Sequence, residues 1–321
     1  MTEKFRFLDA LTYGLRTLFW RPARAGAFIA MASGLSFAYY LWVRSGPGTA
    51  FMSQYMQSTM SMGHGDAGAR GGIVVLMMAG SFLYSCAVIA GAHRVYVRDA
   101  PLLSLPLRLG MDEFRTLGVY FVVWVMGAAI MLVSMIPLTI LVMIIGIIIA
   151  STTGADFAAM DESQSAAFGF LTVMCALIPT FLLYAYVAGR LAVSLPLTIR
   201  DRRFRLGGWA ASKGAGMQLL FAHIILYIAM FAAVLAFRPE LGPALIAVLS
   251  DPVSTENSAR LTAIATDPYR GLAWLAIPVS ILLTFMVFGP TAAVANWDAR
   301  KRAAAAAPVI GDASGADGAA P

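Results

Sequence analysis

Five side chains stand where their type and spacing suggest chemistry. His223 lies about two turns into a long apolar run, and an ionisable group inside a membrane segment must find a partner within the protein. The bland expectation is a neutral imidazole bonded to a carbonyl or hydroxyl of a neighbouring helix; the sharper one is a place on a transport pathway. Arg190 stands at the end of another apolar run, where its long stem lets the guanidinium snorkel to lipid phosphate or, in the sharper reading, hold a substrate phosphate. Arg202, Arg203 and Arg205 follow within a short basic turn suited to anionic headgroups. A third histidine, His93, stands far from the others, and neither H-E-x-x-H nor C-x-x-C occurs, so no metal site and no cofactor is expected.

A further group is richer in sulfur. Met52, Met56 and Met60 fall at i, i+4 and i+8, followed by Met62 and His64, and thioethers with imidazole are ligands that Cu(I) accepts. The competing reading lays Phe51, Tyr55 and the Met face on a leaflet as an amphipathic helix. Walker-type G-x-x-x-x-G-K-[ST], G-x-S-x-G and S-x-x-K elements are absent from the loops, so nucleotide-driven and hydrolytic roles have no footing and no enzyme is expected. The apolar runs contain no Asp or Glu, which argues against an ion-coupled carrier.

The elements that would position these residues follow from composition. Of 321 residues, 60% are apolar and 12% charged, far from the quarter charged residues of a soluble domain. Five runs reach the ~20 residues that cross ~30 Å of hydrocarbon: Gly26 to Val43, Gly72 to Ala92, Phe168 to Gly189, Met217 to Phe237 and Gly271 to Trp297. A sixth, Leu117 to Ala150, would extend ~51 Å as a straight helix. It either crosses once with a tilt, a kink at Pro137 or a projecting end, or turns back and crosses twice.

Charge placement decides between these. With one crossing, 18 of the 23 Lys and Arg fall on one side, at the N-terminus, between spans two and three, between spans four and five, and after span six. With two, the division becomes 12 against 11, which forfeits the cytoplasmic excess that short loops carry. The expected fold is an all-α membrane helical bundle of six transmembrane helices, both termini cytoplasmic, with interfacial helices on that side. Residues 1–25 would form an interfacial amphipathic helix, with Phe5, Leu8, Leu11, Leu15, Leu18 and Phe19 opposite Arg6, Asp9, Tyr13 and Arg16. Residues 26–302 would form the bundle, and 303–321, rich in Ala, Gly, Asp and Pro, a disordered tail.

Two segments on the basic side echo each other. Ser104-Leu105-Pro106-Leu107 follows span two and Ser194-Leu195-Pro196-Leu197 follows span four, each leading into a polar-apolar stretch, which suggests a parallel duplication. In the first stretch Met111, Phe114 and Leu117 face one way and Asp112, Glu113 and Arg115 the other. In the second Phe204, Leu206 and Trp209 are the interfacial members. Ala188-Gly189-Arg190, Ser194-Leu195-Pro196-Leu197, Asp201-Arg202-Arg203 and Gly208-Trp209-Ala210-Ala211-Ser212-Lys213-Gly214 together resemble the stretch shared by YciC-like bacterial inner-membrane proteins and the membrane domain attached to some glycerophosphodiester phosphodiesterases. The resemblance covers Tyr184 to Phe237. It implies a six-helix bacterial inner-membrane bundle and does not bring the phosphodiesterase reaction, whose acidic and His metal ligands belong to a separate soluble domain.

The functional expectation is a non-catalytic inner-membrane protein that interacts with lipid, organises the membrane or serves as an accessory subunit. Its partners would be anionic lipids and a membrane or cytoplasmic protein, with no role for nucleic acid. The competing class is a transporter of a lipid or small molecule through the bundle interior, and the third an enzyme acting on lipid headgroups through Arg190. A water-accessible cavity reaching mid-membrane and lined by His223 would favour transport, a tightly packed Leu/Ile/Met interior the structural role, and clustered acids and His at headgroup level the enzyme. Reporter fusions to the two termini are expected to give cytoplasmic signals at both ends; opposite signals would refute the charge-based topology.

Overall fold

The computed structural model describes residues 4–51, 67–98, 107, 110–153, 162–250, 256–257 and 273–306. Among them the chain is helical with no strand. Its helices are α1 (Phe7–Trp20), α2 (Pro22–Arg44), α3 (Ala67–Val97), α4 (Met111–Thr153), α5 (Glu162–Ala192), α6 (Ser194–Asp201), α7 (Gly208–Ala211), α8 (Gly216–Phe237), α9 (Leu241–Ser250) and α10 (Ala273–Ala306). Six of them, α2, α3, α4, α5, α8 and α10, are long and apolar enough to cross a membrane. The chain is an all-α polytopic bundle.

The long apolar run is one helix. α4 continues through Pro137 for 43 residues, and no turn divides it. At 1.5 Å per residue it is ~65 Å long, about twice the hydrocarbon thickness. Its first turn is fixed at the arginine-rich end of the bundle, so the excess length lies at the far end, where Ile147 and Ile148 are more than half exposed. Such surface suits acyl chains. α5 returns alongside α4, and Gly127 of α4 makes room for the Tyr184 ring lying against it.

Burial concentrates at the arginine-rich end. One core cluster joins α1, α6, α7, α8 and α10 through Phe5, Val193, Leu197, Leu219, Val294 and Trp297. A second joins α2, α3 and α10 around Phe28, Tyr96 and Phe285, with the Tyr96 and Phe285 rings stacked at 4.5 Å and the Tyr96 hydroxyl donating to the Phe285 carbonyl at 2.5 Å. The segment leading into α1 meets α10 there too, since the Phe5 and Trp297 rings lie 5.5 Å apart.

Several surface expectations are inverted. On α1 the small residues Ala10, Gly14 and Thr17 face inward, while Leu8, Phe19 and Trp20 point away from the bundle. The reason is close packing: a Cβ on Gly14 would lie 2.9 Å from the Met286 Cα, and one on Gly289 would lie 2.7 Å from the Gly14 nitrogen, so only glycine on both helices allows this approach. Tyr13, expected on the water side, accepts a hydrogen bond from the Asn296 side-chain amide at 2.5 Å. The Ser194-Leu195-Pro196-Leu197 segment, expected in a surface loop, is the buried first half of α6. Its partner Ser104-Leu105-Pro106 lies outside the described residues, as do Met52 to His64 and residues 307–321. Residues 303–306 of the expected disordered tail continue α10 as helix.

The largest departure concerns charge. Asp112 and Glu113, expected to face solvent, are 7% and 4% exposed, while Met111 and Phe114 on the opposite side are the exposed ones. Such an arrangement, with the apolar face out and the acids in, is the one that a lipid surrounding would favour. Glu113 pairs with Arg94, and Asp112 receives a two-pronged contact from Arg98 at 2.6 and 3.2 Å. Arg115 adds a longer bond to Asp112 at 3.4 Å. The carboxylates also occupy the first turn of α4, where the free N–H groups favour negative charge. Arg94 and Arg98, counted as loop cations, are therefore bonds between α3 and α4.

Removing one partner of a buried pair strands the other charge, so Glu113→Ala is expected to cost about 3–5 kcal/mol of stability. The double change Arg94→Leu with Glu113→Leu is expected to recover most of that loss. Thermal unfolding of the detergent-solubilised protein reads both.

Candidate functional site

α5 carries Ala185, Ala188, Gly189 and Ala192 at i, i+3, i+4 and i+7, a stripe of small side chains along one face. Such a face commonly lets another helix close upon it. Here α3, α4, α8 and α10 stand around the stripe without filling the space before it. The result is an interhelical cavity of about 600 Å³, a size typical of small-molecule and cofactor sites.

The cavity has a closed end and an open one. At the closed end, towards the arginine-rich side, are the buried His93, Thr291 and Leu195, with Ala192 beside them, Leu195 being supplied by α6. At the other end Phe181 and Tyr227 are half-exposed, and Tyr84 and Ile281 complete the rim. Along α3 the lining runs from Tyr84 to His93, and along α10 from Ile281 to Thr291. Nine or ten residues of helix correspond to ~15 Å, half the thickness of the hydrocarbon layer.

His223 lies in its wall. The ring sits over Gly189, with Nδ1 3.7 Å from the place a Cβ would take. Its hydrogen-bond partner is not on a neighbouring helix, as expected, but one turn back on its own: Nδ1 is 2.8 Å from the Leu219 carbonyl. A carbonyl only accepts, so Nδ1 carries the proton of the bond, and in the neutral ring Nε2 remains an acceptor. The Tyr227 ring stacks beside it at 6.4 Å.

The closed end holds a second histidine. His93 is 1% exposed, its ring lies 5.5 Å from that of Phe288, and its Nδ1 has no hydrogen-bond partner among the described residues. Tyr120, Tyr184 and Tyr227, from α4, α5 and α8, also line the wall, with each hydroxyl within electrostatic reach of another. No hydrogen bond from these three hydroxyls is found among the described residues. Tyr84 differs, being tied to the Ser36 hydroxyl at 2.6 Å. Among the described residues the lining contains no Asp, Glu, Lys or Arg.

The sequence-predicted basic residues lie elsewhere. Arg190 points away from the cavity into a bracket of its own: Nε donates to the Ser212 hydroxyl at 3.0 Å, Nη1 to the Tyr186 hydroxyl at 3.2 Å and Nη2 to the Trp209 carbonyl at 2.8 Å. The guanidinium lies 3.7 Å over the Trp209 ring, a close cation–π contact. It is a brace joining α5 to α7 rather than a hand extended to lipid phosphate. Beneath it Gly208 leaves no room for a Cβ, which would lie 2.6 Å from the Ser194 nitrogen. Its own N–H donates to the Ser194 hydroxyl at 2.9 Å.

Arg202 and Arg203 are exposed, Arg202 with the left-handed backbone (φ 52°) that ends α6. Arg205 pairs with Asp201 at 3.0 Å, and its backbone N–H donates to the Thr198 hydroxyl at 3.1 Å. Phe204, Leu206 and Trp209 are exposed beside them, as the interfacial reading expects. The structure thus gathers the basic turn at the surface, holds Arg190 as a strut, and gives the cavity to His223.

No family model, curated protein or solved structure matches the chain. The cavity must be interpreted from its own geometry.

Sequence reasoning missed His93 because the apolar run was ended at Ala92, one residue short. It missed the cavity because the small stripe on α5 was noticed only at Ala188-Gly189. Among the described residues no three of His, Cys, Asp and Glu cluster as a metal site requires. The two histidines and the three hydroxyls of this wall offer neutral hydrogen bonds.

If Arg190 is a brace, then Arg190→Lys, which loses the planar fork and the stacking on Trp209, is expected to lower stability by about 1–2 kcal/mol. Arg202→Gln and Arg203→Gln are expected to change it by less than about 0.5 kcal/mol, as exposed side chains do. Parallel thermal melts of the three variants separate strut from surface.

Proposed function

We propose that the protein is a non-catalytic, lipid-binding protein of the bacterial inner membrane that holds a lipid-like molecule in the cavity between its spans. One observation carries this reading: a cavity of about 600 Å³ sits among five of the six apolar helices, lined largely by apolar side chains with a few convergent neutral polar groups. A molecule already dissolved in the bilayer reaches such a site without crossing water. The rim at Phe181 and Tyr227 provides the entrance.

In this reading the arginine-rich end faces the cytoplasm, where exposed Arg202 and Arg203 meet anionic headgroups beside Trp209. A membrane or cytoplasmic partner would dock on the same face. The YciC-like resemblance suits the proposal, because the stretch that carries it, Tyr184 to Phe237, supplies the small stripe, His223 and Tyr227 to the cavity.

Transport is the second reading, favoured by the entry of His223 into a cavity that reaches well inside the bundle. Helices α5 and α10, which line it, carry Pro179, Pro278 and Pro290. Passage would require α6 to leave the closed end. Binding requires no such movement.

Mass spectrometry of lipids retained by the purified protein is expected to find at least one species that survives exhaustive detergent exchange. Ala185→Trp, which fills the cavity from the small stripe, is expected to lower its retention about tenfold with the helical content and melting cooperativity unchanged. Equal retention by the wild-type and Ala185→Trp proteins would overturn the internal site.

A further inference from the structure

The chemistry of the cavity wall narrows what it holds, given that it holds a lipid at all as proposed above. We infer that the occupant is an uncharged lipid with a hydroxyl-bearing head, of the diacylglycerol type, seated with its head towards His93 and its chains leaving at Phe181 and Tyr227.

Charge is the first discriminator. A phosphate head in this space would need a cation, and the lining has none. The nearest arginines of the same end are engaged elsewhere: Arg94 pairs with Glu113, Arg98 with Asp112, and Arg190 is held by Ser212, Tyr186 and Trp209. An ammonium head fares no better, because the lining has no carboxylate.

Hydrogen-bond complementarity is the second. His93 Nδ1 is buried at the closed end with no partner, and His223 has Nε2 left as an acceptor once Nδ1 is bonded to Leu219. An acceptor nitrogen asks for a donor, which a free hydroxyl supplies. The hydroxyls of Tyr120, Tyr184 and Tyr227 can each donate, and two ester carbonyls can accept. One hydroxyl and two esters on a glycerol backbone match this set with no charged group left over. Buried polar atoms without partners are costly, so a ligand that satisfies them is favoured over a bare hydrocarbon.

Length is the third. The space runs ~15 Å along the helices, the depth of one leaflet. Its closed end lies at the arginine-rich side and its open end towards the middle of the spans. A lipid standing in the adjacent leaflet therefore enters in its ordinary orientation, with the chains pointing to the midplane.

The test uses the full-length protein in nanodiscs of phosphatidylethanolamine and phosphatidylglycerol. Diacylglycerol and phosphatidic acid, each carrying the same photoreactive acyl chain, are added separately, and labelled peptides are identified by mass spectrometry. The expected result is labelling of α3, α5 and α8 by diacylglycerol at about ten times the level given by phosphatidic acid, competed by unlabelled diacylglycerol. His93→Leu is expected to lower that labelling about tenfold and His93→Asn, which keeps a hydrogen-bonding group, to restore part of it. Because a buried histidine also packs, the triple change Tyr120→Phe, Tyr184→Phe and Tyr227→Phe serves as the second variant. It keeps every ring and is expected to lose labelling about tenfold.

Equal or stronger labelling by phosphatidic acid, displacement by a quinone but not by unlabelled diacylglycerol, or full labelling of the triple variant would each overturn the inference while leaving an internal lipid site standing. If neither probe labels the cavity and Ala185→Trp retains lipid as the wild type does, the lipid-binding reading itself fails.

Discussion

Two carboxylates at the start of one helix set the geometry on which the rest depends. Asp112 and Glu113 open α4, and in a lipid environment neither they nor Arg98 and Arg94 can be left alone. Their pairing fixes the first turn of α4 against the last turn of α3. Everything further along α4 is then placed by helix arithmetic: Tyr120 and Val123 arrive at the cavity wall about two to three turns later, and the surplus of a 43-residue helix is carried to the opposite end. The same pairing explains why burial is dense at one end and sparse at the other.

A bundle locked at one end need not be filled along its length. α6 packs into that end with Leu195 and Leu197 buried, the Arg190 bracket ties α5 to α7, and the Gly14–Gly289 approach draws α1 onto α10. Beyond this collar the spans separate where α5 presents alanine and glycine. The cavity is the consequence of a rigid ring of polar and small-residue contacts placed above a face too small to fill the space. His223 is held across that face by its bond to Leu219, so its orientation is set within α8 and does not rely on the helix opposite.

The fold was legible in the sequence to the extent that it follows from hydrocarbon thickness. Six apolar runs became six helices, and the single long helix was distinguished from a hairpin by the placement of Lys and Arg. The candidate site was legible only in part. His223 could be singled out because one imidazole in an uncharged run is conspicuous. His93 could not, because it stands next to Arg94 at the edge of its run, where a cutoff on hydropathy assigns it to the loop. The buried acids were hidden for a related reason. An amphipathic pattern states that Met111 and Phe114 lie opposite Asp112 and Glu113, but which side faces inward depends on whether water or lipid surrounds the helix. Arg190 shows the remaining difficulty: snorkelling and bracing place the same residue at the same position, and only the presence of Ser212, Trp209 and Tyr186 in space separates them.

If the cavity holds a lipid as proposed, the division between the charged and the neutral histidine-bearing regions would act as a selectivity device. At the arginine-rich end the described cations facing inward are matched by carboxylates, carbonyls or hydroxyls: Arg21 reaches the Val95 and Arg98 carbonyls and Arg200 the Ala295 carbonyl. These contacts occupy the inward-facing guanidinium donors, while Arg202 and Arg203 are exposed. On the proposed reading an anionic headgroup would be kept from the interior by the lack of a cation among the described lining residues. A molecule without charge meets no such barrier, and the polar groups it finds inside, imidazole nitrogen and phenolic hydroxyl, reward hydrogen bonding alone.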